Sequence, residues 1–378
     1  MRDALKRGRW GRAPWTIDFH AEARALPDDV EFAVIGGGFT GAAAAAWLRH
    51  LEPKRSVALF EAESIGAGSS GHTGGLALPE TAAGELPGLG DVLGGLSHIL
   101  RELRVNCDLS LPGVWEIARE GGCTDSPISW TDSGTLRVTR EIPGGTLDPG
   151  KMVSGLAREA SRGGASIFEN ARVESIGEGR QTELRIGAGT VRAACVLVAT
   201  NAESLELSGL AGRAQPKFTL AVTTEPLTHS QIEALGLGAG KPFYTIDLPY
   251  LWGRLVHGDC VIFGSGLVHL NDWRELMQID VERGEAAELL RQLERRVRRL
   301  HPALKDVRFI HRWGGPILIA DKWQPIFMRH PENKDAIVLG AYSGHGVALS
   351  VYLGCWAAEA MLGRKQLPEW NVAETAAD

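Results

Sequence analysis

The sequence predicts an α/β protein (α+β overall) of two joined domains: a Rossmann-like nucleotide-binding domain and a second domain built on an antiparallel sheet. Three observations predict it. A strand, a glycine turn, a helix and a second strand follow one another from about Val30; a fully buried strand run recurs at 191–199; and after Pro216 the texture changes to short alternating runs. The length of 378 residues suits two domains. With 44% apolar and 23% charged residues, the chain has enough apolar surface for a sizeable core.

Taken in order, Glu31 to Ile35 is a β-rich run ending in Gly36-Gly37-Gly38-Phe39-Thr40-Gly41. Ala42 to Leu48 supplies helix formers small enough to lie close on a sheet, Pro53 closes that region, and Ser56 to Phe60 reads as the next strand, closed by Glu61. Residues 64 to 95 are glycine-rich and without period, which predicts a loop. Structureless stretches beyond about 15 residues usually bind something. Arg172 to Ile176 and Val191 to Ala199 read as strands, the second reaching the carboxyl edge of a sheet before Thr200-Asn201. Phe218 to Thr224, Tyr244 to Asp247 and Cys260 to Gly264 fit an antiparallel sheet. A helix follows with Ala286, Leu289, Leu290, Leu293, Val297 and Leu300 on its core stripe and Arg295, Arg296, Arg298 and Arg299 on a solvated face. Ala336 to Gly340 returns to a buried strand, and Tyr342 to Val347 opens a last helix.

Composition excludes several function classes. A net charge of −6 argues against nucleic acid, whose binding needs a basic surface. No apolar run is long enough to span a membrane, no secretory leader is evident, and the five cysteines are scattered without C-x-x-C spacing; they read as core thiols of a cytoplasmic protein, with no metal site. The opening segment to Arg12, with Arg2, Lys6, Arg7, Arg9 and Arg12, reads as a frayed solvated arm.

Gly36, Gly38 and Gly41 form G-x-G-x-x-G between a strand and a helix, and Glu61 stands twenty positions after Gly41 at the end of the next strand. The glycines permit a tight turn, approach of a pyrophosphate and helix packing, while the carboxylate accepts ribose hydroxyls. NAD and FAD both satisfy this pattern. The run Gly66 to Gly75 directly after the ribose strand would let backbone lie against an extended flat cofactor, and Gly344-His345-Gly346 at a helix start would aim N–H groups at the pyrimidine side of a flavin. Both favour FAD.

Those segments, with Val196-Leu197-Val198-Ala199-Thr200-Asn201-Ala202 and Thr224-Glu225-Pro226-Leu227, resemble the D-amino acid oxidase superfamily of flavoproteins. The likeness is nearest to its glycine oxidase, sarcosine oxidase and gamma-glutamylputrescine oxidoreductase branch, and runs from about Val30 to Gly363. The resemblance implies a discontinuous FAD domain, 30–105, 150–212 and 306–365, a substrate domain, 106–149 and 213–305, and an N-terminal arm, 1–29. It implies oxidation of the C–N bond of a small amine or amino acid, with oxygen or another acceptor taking the electrons afterwards. Carried over residue by residue, it puts Gly36, Gly38, Phe39, Thr40, Gly41 and Glu61 on the adenosine and pyrophosphate. Ser69, Ser70, Gly71, His72, Gly74 and Gly75 lie along the flavin, and Val173, Thr200, Gly344, His345, Gly346 and Val347 complete the cofactor set. His72 stands where near relatives have arginine, and dimethylglycine dehydrogenase relatives attach flavin through a histidine there. Noncovalent FAD is expected, with a covalent link at His72 as the alternative.

For the substrate, Tyr250, Trp252 and Arg254 alternate and would share one strand face, an aromatic pair with an arginine fork for a carboxylate. Arg312 and His345 are further candidates, the latter as a flavin-tuning group or a helix cap. A non-catalytic FAD-containing assembly protein and a nicotinamide-dependent dehydrogenase stand as the other readings.

Overall fold

The computed structural model describes residues 10–177 and 181–370. Its first sheet is built around Asp29–Ile35, which runs parallel to Val57–Phe60 on one side and to Gly189–Val198 on the other; Ser166–Phe168 and Asn333–Gly340 extend these pairings outward, also in parallel. Ile326–His330 closes one edge in antiparallel sense, and the hairpin Val173–Gly177 with Thr182–Ile186 hangs from Gly189–Val198. Strands buried on both faces explain the unbroken apolar runs in the sequence. Helices Phe39–Leu51, Pro149–Arg162 and Gly346–Met361 pack together against the sheet. Gly354 permits the close crossing, because a Cβ there would lie 2.6 Å from Thr40 O.

The second sheet takes the order Phe309–Ala320, Ala214–Thr224, Cys260–His269, Trp252–Val256, Phe243–Thr245, Val114–Ala118, Thr135–Ile142, Ser129–Thr131. All neighbours are antiparallel except Phe243–Thr245 with Val114–Ala118. Phe309–Ala320, expected in the nucleotide domain, pairs along its length with Ala214–Thr224 and belongs to the second sheet. Helix Gly284–Leu300 lays Ala286, Leu290, Leu293, Val297 and Leu300 into the core beside Phe218 and Leu220.

Three expectations about what is buried and what is exposed change. Residues 1–9 of the arm lie outside the described residues, but Trp10 is 2% exposed and Gly11 bridges to Trp313, so the arm docks from Trp10 onward. Arg296, placed on the solvated face, turns inward: its guanidinium donates to Asp132 (2.7 Å), Tyr250 O (2.8 Å) and Pro249 O (2.9 Å). Arg119 joins it from the other side, donating to Asp132, Asp247 and Pro249 O. Two largely shielded arginines thus hold the 247–250 loop, and Asp132 is the anion they share. Of the cysteines, Cys107, Cys260 and Cys355 are buried, while Cys123 is exposed and is not a core thiol.

Removing that anion by Asp132→Ala is expected to destabilise the fold by on the order of 2 kcal/mol, since it leaves the largely shielded Arg296 without a carboxylate among the described residues and Arg119 with Asp247 alone. Burial alone would raise the Asp132 pKa, yet the bonds from Arg296 and Arg119 outweigh it and hold the pKa below the ordinary value. A depressed folded pKa contributes stability that is fully present above the unfolded value of about 3.9 and fades as pH falls through the folded one. Urea denaturation at stepped pH is therefore expected to show the difference between wild type and variant shrinking below about pH 4.

Candidate active site

A cleft of about 1050 Å³ runs between the two sheets, from the glycine turn to the antiparallel sheet. The turn follows the first strand because Gly36 takes φ +106, with its N–H on Phe60 O at 2.8 Å. Gly41 lies outside the lining: its Cβ would stand 1.9 Å from Gly36 O, so its part is to let the helix start close on the turn. Gly38 faces open space apart from Ser70 Oγ, 2.8 Å from a Cβ built there, and the same hydroxyl accepts from Phe39 N at 2.9 Å. Thr40 Oγ1 pairs with Tyr342 OH at 2.7 Å. Glu61 is held by backbone, Oε2 accepting from Gly37 N (2.7 Å) and Oε1 from Glu63 N (2.9 Å), and it lines the cleft beside the turn with Val173.

The glycine-rich stretch 64–95, expected to be a loop, contains one helical turn, Ser69–His72, the strand Leu76–Ala77 and the start of the helix Val92–Glu102, which Asp91 caps by accepting from Gly94 N. Ser69, Ser70, His72 and Gly74 line the cleft. Gly71 and Gly75 sit behind it, where a Cβ would meet Gly66 O at 2.3 Å and Leu147 O at 2.5 Å. His72 Nδ1 lies 2.9 Å from Gly68 O, an acceptor that makes it the protonated nitrogen. Indole N–H groups brace this segment from behind: Trp15 donates to Gly71 O at 2.8 Å and Trp313 to His72 O at 3.1 Å.

Opposite lies the start of the helix Gly346–Met361. Gly344, His345, Gly346 and Val347 line the cleft, and His345 occupies the N-cap position without a capping side-chain bond, contrary to the expected cap. Burial pushes the His345 imidazole below its usual pKa, which leaves it neutral at pH 7. Three cleft-lining groups are buried without a hydrogen-bond partner among the described residues: Thr200 Oγ1, His345 Nδ1 and Ser350 Oγ. Unsatisfied polar atoms gathered on one cavity fit a polar ligand. Asn201, quoted within the Val196 to Ala202 motif but given no role there, ties the two sides together by donating to Ser69 Oγ (3.1 Å) and accepting from Ala341 N (3.0 Å).

On the antiparallel sheet the expected trio separates. The strand begins at Trp252, so Tyr250 falls in the preceding loop, half exposed on the cleft rim, while Trp252 lines the cleft with its ring against Gly74. Arg254 shares the face of Trp252 but lies under the Gly74-Gly75 backbone, its Nε donating to Gly74 O at 2.6 Å. Burial lowers its pKa to about 10, and Asp148 partly opposes that. It remains charged at pH 7 but is absent from the cleft lining, so it is no fork for a substrate carboxylate. Arg312 points away, ion-paired with Glu294 of the helix Gly284–Leu300. No spacing marks Glu80, Tyr244 or Trp323 as site residues, and the fold brings them to the cleft from three distant segments. No helix among the described residues is long and apolar enough to cross a membrane.

Comparison with known proteins agrees with this architecture. The glycine oxidase of Geobacillus kaustophilus superposes with a TM-score of 0.72 at 18% identity, covering 93% of this chain and 100% of the other. The L-proline dehydrogenase of P. horikoshii gives 0.70 at 20%, covering 92% and 97%. Among curated proteins, the probable oxidoreductase OrdL of Rhizobium meliloti (strain 1021) is 28% identical over 226 residues, 60% of this chain and 49% of that protein. OrdL of Haemophilus influenzae is 26% identical over 225 residues, 58% and 48%. These alignments span about half the length of the curated relatives. The model of the family described as DAO, FAD dependent oxidoreductase, matches residues 31–360, nearly the whole chain, and the chain therefore belongs to that family of FAD-dependent oxidoreductases.

Proposed function

We propose that the protein oxidises the C–N bond of a small amine or amino acid, with FAD held noncovalently along the cleft. The observation that carries this reading is the cleft's continuity: one cavity joins the glycine turn and Glu61 to the aromatic side chains Trp252 and Tyr244 of the second sheet. The residues fit FAD. Gly38 leaves its backbone open to phosphate, Glu61 offers a fixed carboxylate to a ribose, and Thr200, His345 and Ser350 present polar atoms that no described residue satisfies. Bound FAD supplies the two-electron acceptor for hydride from the carbon beside the nitrogen.

The chain's own residues set up that transfer. Trp252 and Tyr244 wall the cleft with apolar surface and exclude water from the reacting carbon. The neutral His345 places no positive charge beside the cleft and so does not oppose an amine that arrives as the free base. The helix beginning at Gly346 turns its positive end to the cleft, where negative charge is stabilised. Proteins of similar fold named glycine oxidase, L-proline dehydrogenase and L-amino acid deaminase act on amino acids, which supports an amine substrate here. His72 serves as a hydrogen-bonding side chain held by Gly68 O, which supports a noncovalent flavin.

One experiment tests the reading. Purified protein is expected to be yellow, to release its flavin on denaturation, and to bleach when an amine substrate is added without oxygen. A yellow protein that a broad amine panel leaves unbleached would instead favour a non-catalytic flavoprotein, and flavin remaining on the denatured chain would assign the covalent link.

A further inference from the structure

The side of the cleft away from the glycine turn has an ordered chemistry of its own. Strand register sets Trp252 opposite Tyr244, Tyr244 opposite Glu116, and Glu116 opposite Arg140. Trp252 and Tyr244 line the cleft, and Trp252 touches Gly74 at the inner end. From Trp252 to Glu116 is two strand spacings, about 10 Å. An aromatic wall therefore leads outward to a carboxylate corner.

The two acids of that corner differ. Glu116 is buried and fully engaged: Arg140 grips both its oxygens, and Tyr244 OH donates to Oε1 at 2.7 Å. Glu80 lines the cleft, half-buried, and makes no hydrogen bond or ion pair with any described residue. It is nonetheless well fixed, because it precedes a tight turn in which Thr81 N donates to Gly84 O (3.1 Å) and Gly84 N to Thr81 O (2.9 Å). Burial pushes its pKa up and the neighbouring Glu116 adds to this. Such a group gains from a cation that enters beside it. Neither Arg254, under the Gly74-Gly75 backbone, nor Arg312, on another face, reaches this corner, and the arginine and lysine of the lining, Arg172 and Lys322, come from other segments, beside Val173 and Trp323.

We propose that Glu80 recognises a second cationic nitrogen at the far end of the substrate, so that the preferred substrates are diamines or longer polyamines rather than amino acids with a free carboxylate. The inference rests on the amine-oxidising reading above. The reacting nitrogen lies at the inner end near His72 and Trp252, the carbon chain runs along Trp252 and Tyr244, and the distal ammonium pairs with Glu80. Aromatic faces favour a cation along the same path.

The test is anaerobic reduction of the flavin-loaded protein by a homologous series of α,ω-diamines, with n-alkylamines and ω-amino acids of equal length. Diamines are expected to show a KM at least about tenfold below the matched alkylamines, with ω-amino acids the poorest, a difference typical of one charge-assisted pair. Glu80→Gln is expected to raise the diamine KM about tenfold more than the alkylamine KM, with kcat changed little; its flavin content reports whether it has folded. Reduction by ω-amino acids in preference to diamines in the wild type, or an equal response of both amines to Glu80→Gln, overturns the proposal while leaving amine oxidation standing. Failure of every amine to reduce the flavin overturns amine oxidation itself, and this inference with it.

Discussion

Gly38→Ala is expected to give a folded, colourless protein, whereas Gly41→Ala is expected to give almost no folded protein. The two glycines are three residues apart in one motif, yet their surroundings differ in kind. At Gly41 an added Cβ lies 1.9 Å from the backbone oxygen of Gly36, and Gly36 is itself tied by its N–H to Phe60 O and pressed against Ala199 O. Neither partner can yield without opening the turn between the first strand and its helix, and a backbone clash there costs upward of about 4 kcal/mol, a large part of a domain's stability. At Gly38 the only obstacle is the Ser70 hydroxyl, which can rotate away at the loss of its bond from Phe39 N, about 1 kcal/mol. The methyl then stands in the open space through which a pyrophosphate must approach. FAD affinity is expected to fall by about 100-fold, equivalent to about 2.7 kcal/mol, with the melting temperature of the flavin-free protein lowered by only about 3 °C. Flavin titration by fluorescence and thermal unfolding of the same samples read the two effects separately. Full flavin content in Gly38→Ala would show that the turn does not cradle the phosphates.

Much of the nucleotide domain was legible because its signals are local. An apolar run, a glycine turn and small helix formers place the first strand, turn and helix within a few residues of Asp29–Ile35 and Phe39–Leu51, and the carboxylate after the next strand falls on Glu61. Helix Pro149–Arg162 went unread although Asp148 caps it by accepting from Lys151 N and proline takes its first position, a start signal present in the sequence. The substrate side was less legible, and for a different reason. Alternation correctly put Trp252 and Arg254 on one face, but nothing local says that the Gly74-Gly75 backbone would cover Arg254 and leave Trp252 in the cleft. Glu80 carries no spacing signal at all. Only the pairing of Tyr244 with strands from two other segments creates the corner it occupies.

The N-terminal arm shows the same lesson in energetic terms, because a cluster of basic residues hid a structural tryptophan. Trp10→Ala is expected to destabilise the protein by about 3–5 kcal/mol, the usual range for truncating a buried tryptophan. Trp10 is 2% exposed; its indole donates to Leu276 O at 2.9 Å, and its carbonyl accepts from Gly314 N at 2.8 Å. Its ring meets Phe218 at 5.5 Å and stands edge-on to His72 at 5.4 Å. Gly11 next to it must be glycine, with φ +79 and a Cβ that would lie 2.0 Å from Arg312 O, so the arm is threaded against the strand Phe309–Ala320 at van der Waals contact. Removing the ring opens a void directly behind the His72 segment, which keeps the indole bonds from Trp15 and Trp313 but loses its aromatic backing. Flavin release is therefore expected at lower urea than global unfolding in Trp10→Ala, but together with it in the wild type. Trp10→Phe keeps most of the apolar contact and loses the bond to Leu276 O, so it should recover more than half of the lost stability. Flavin fluorescence and circular dichroism followed on one urea series separate the two transitions. Coincident transitions and a loss below about 1 kcal/mol would mean that the arm rides on the sheet without bracing the cleft.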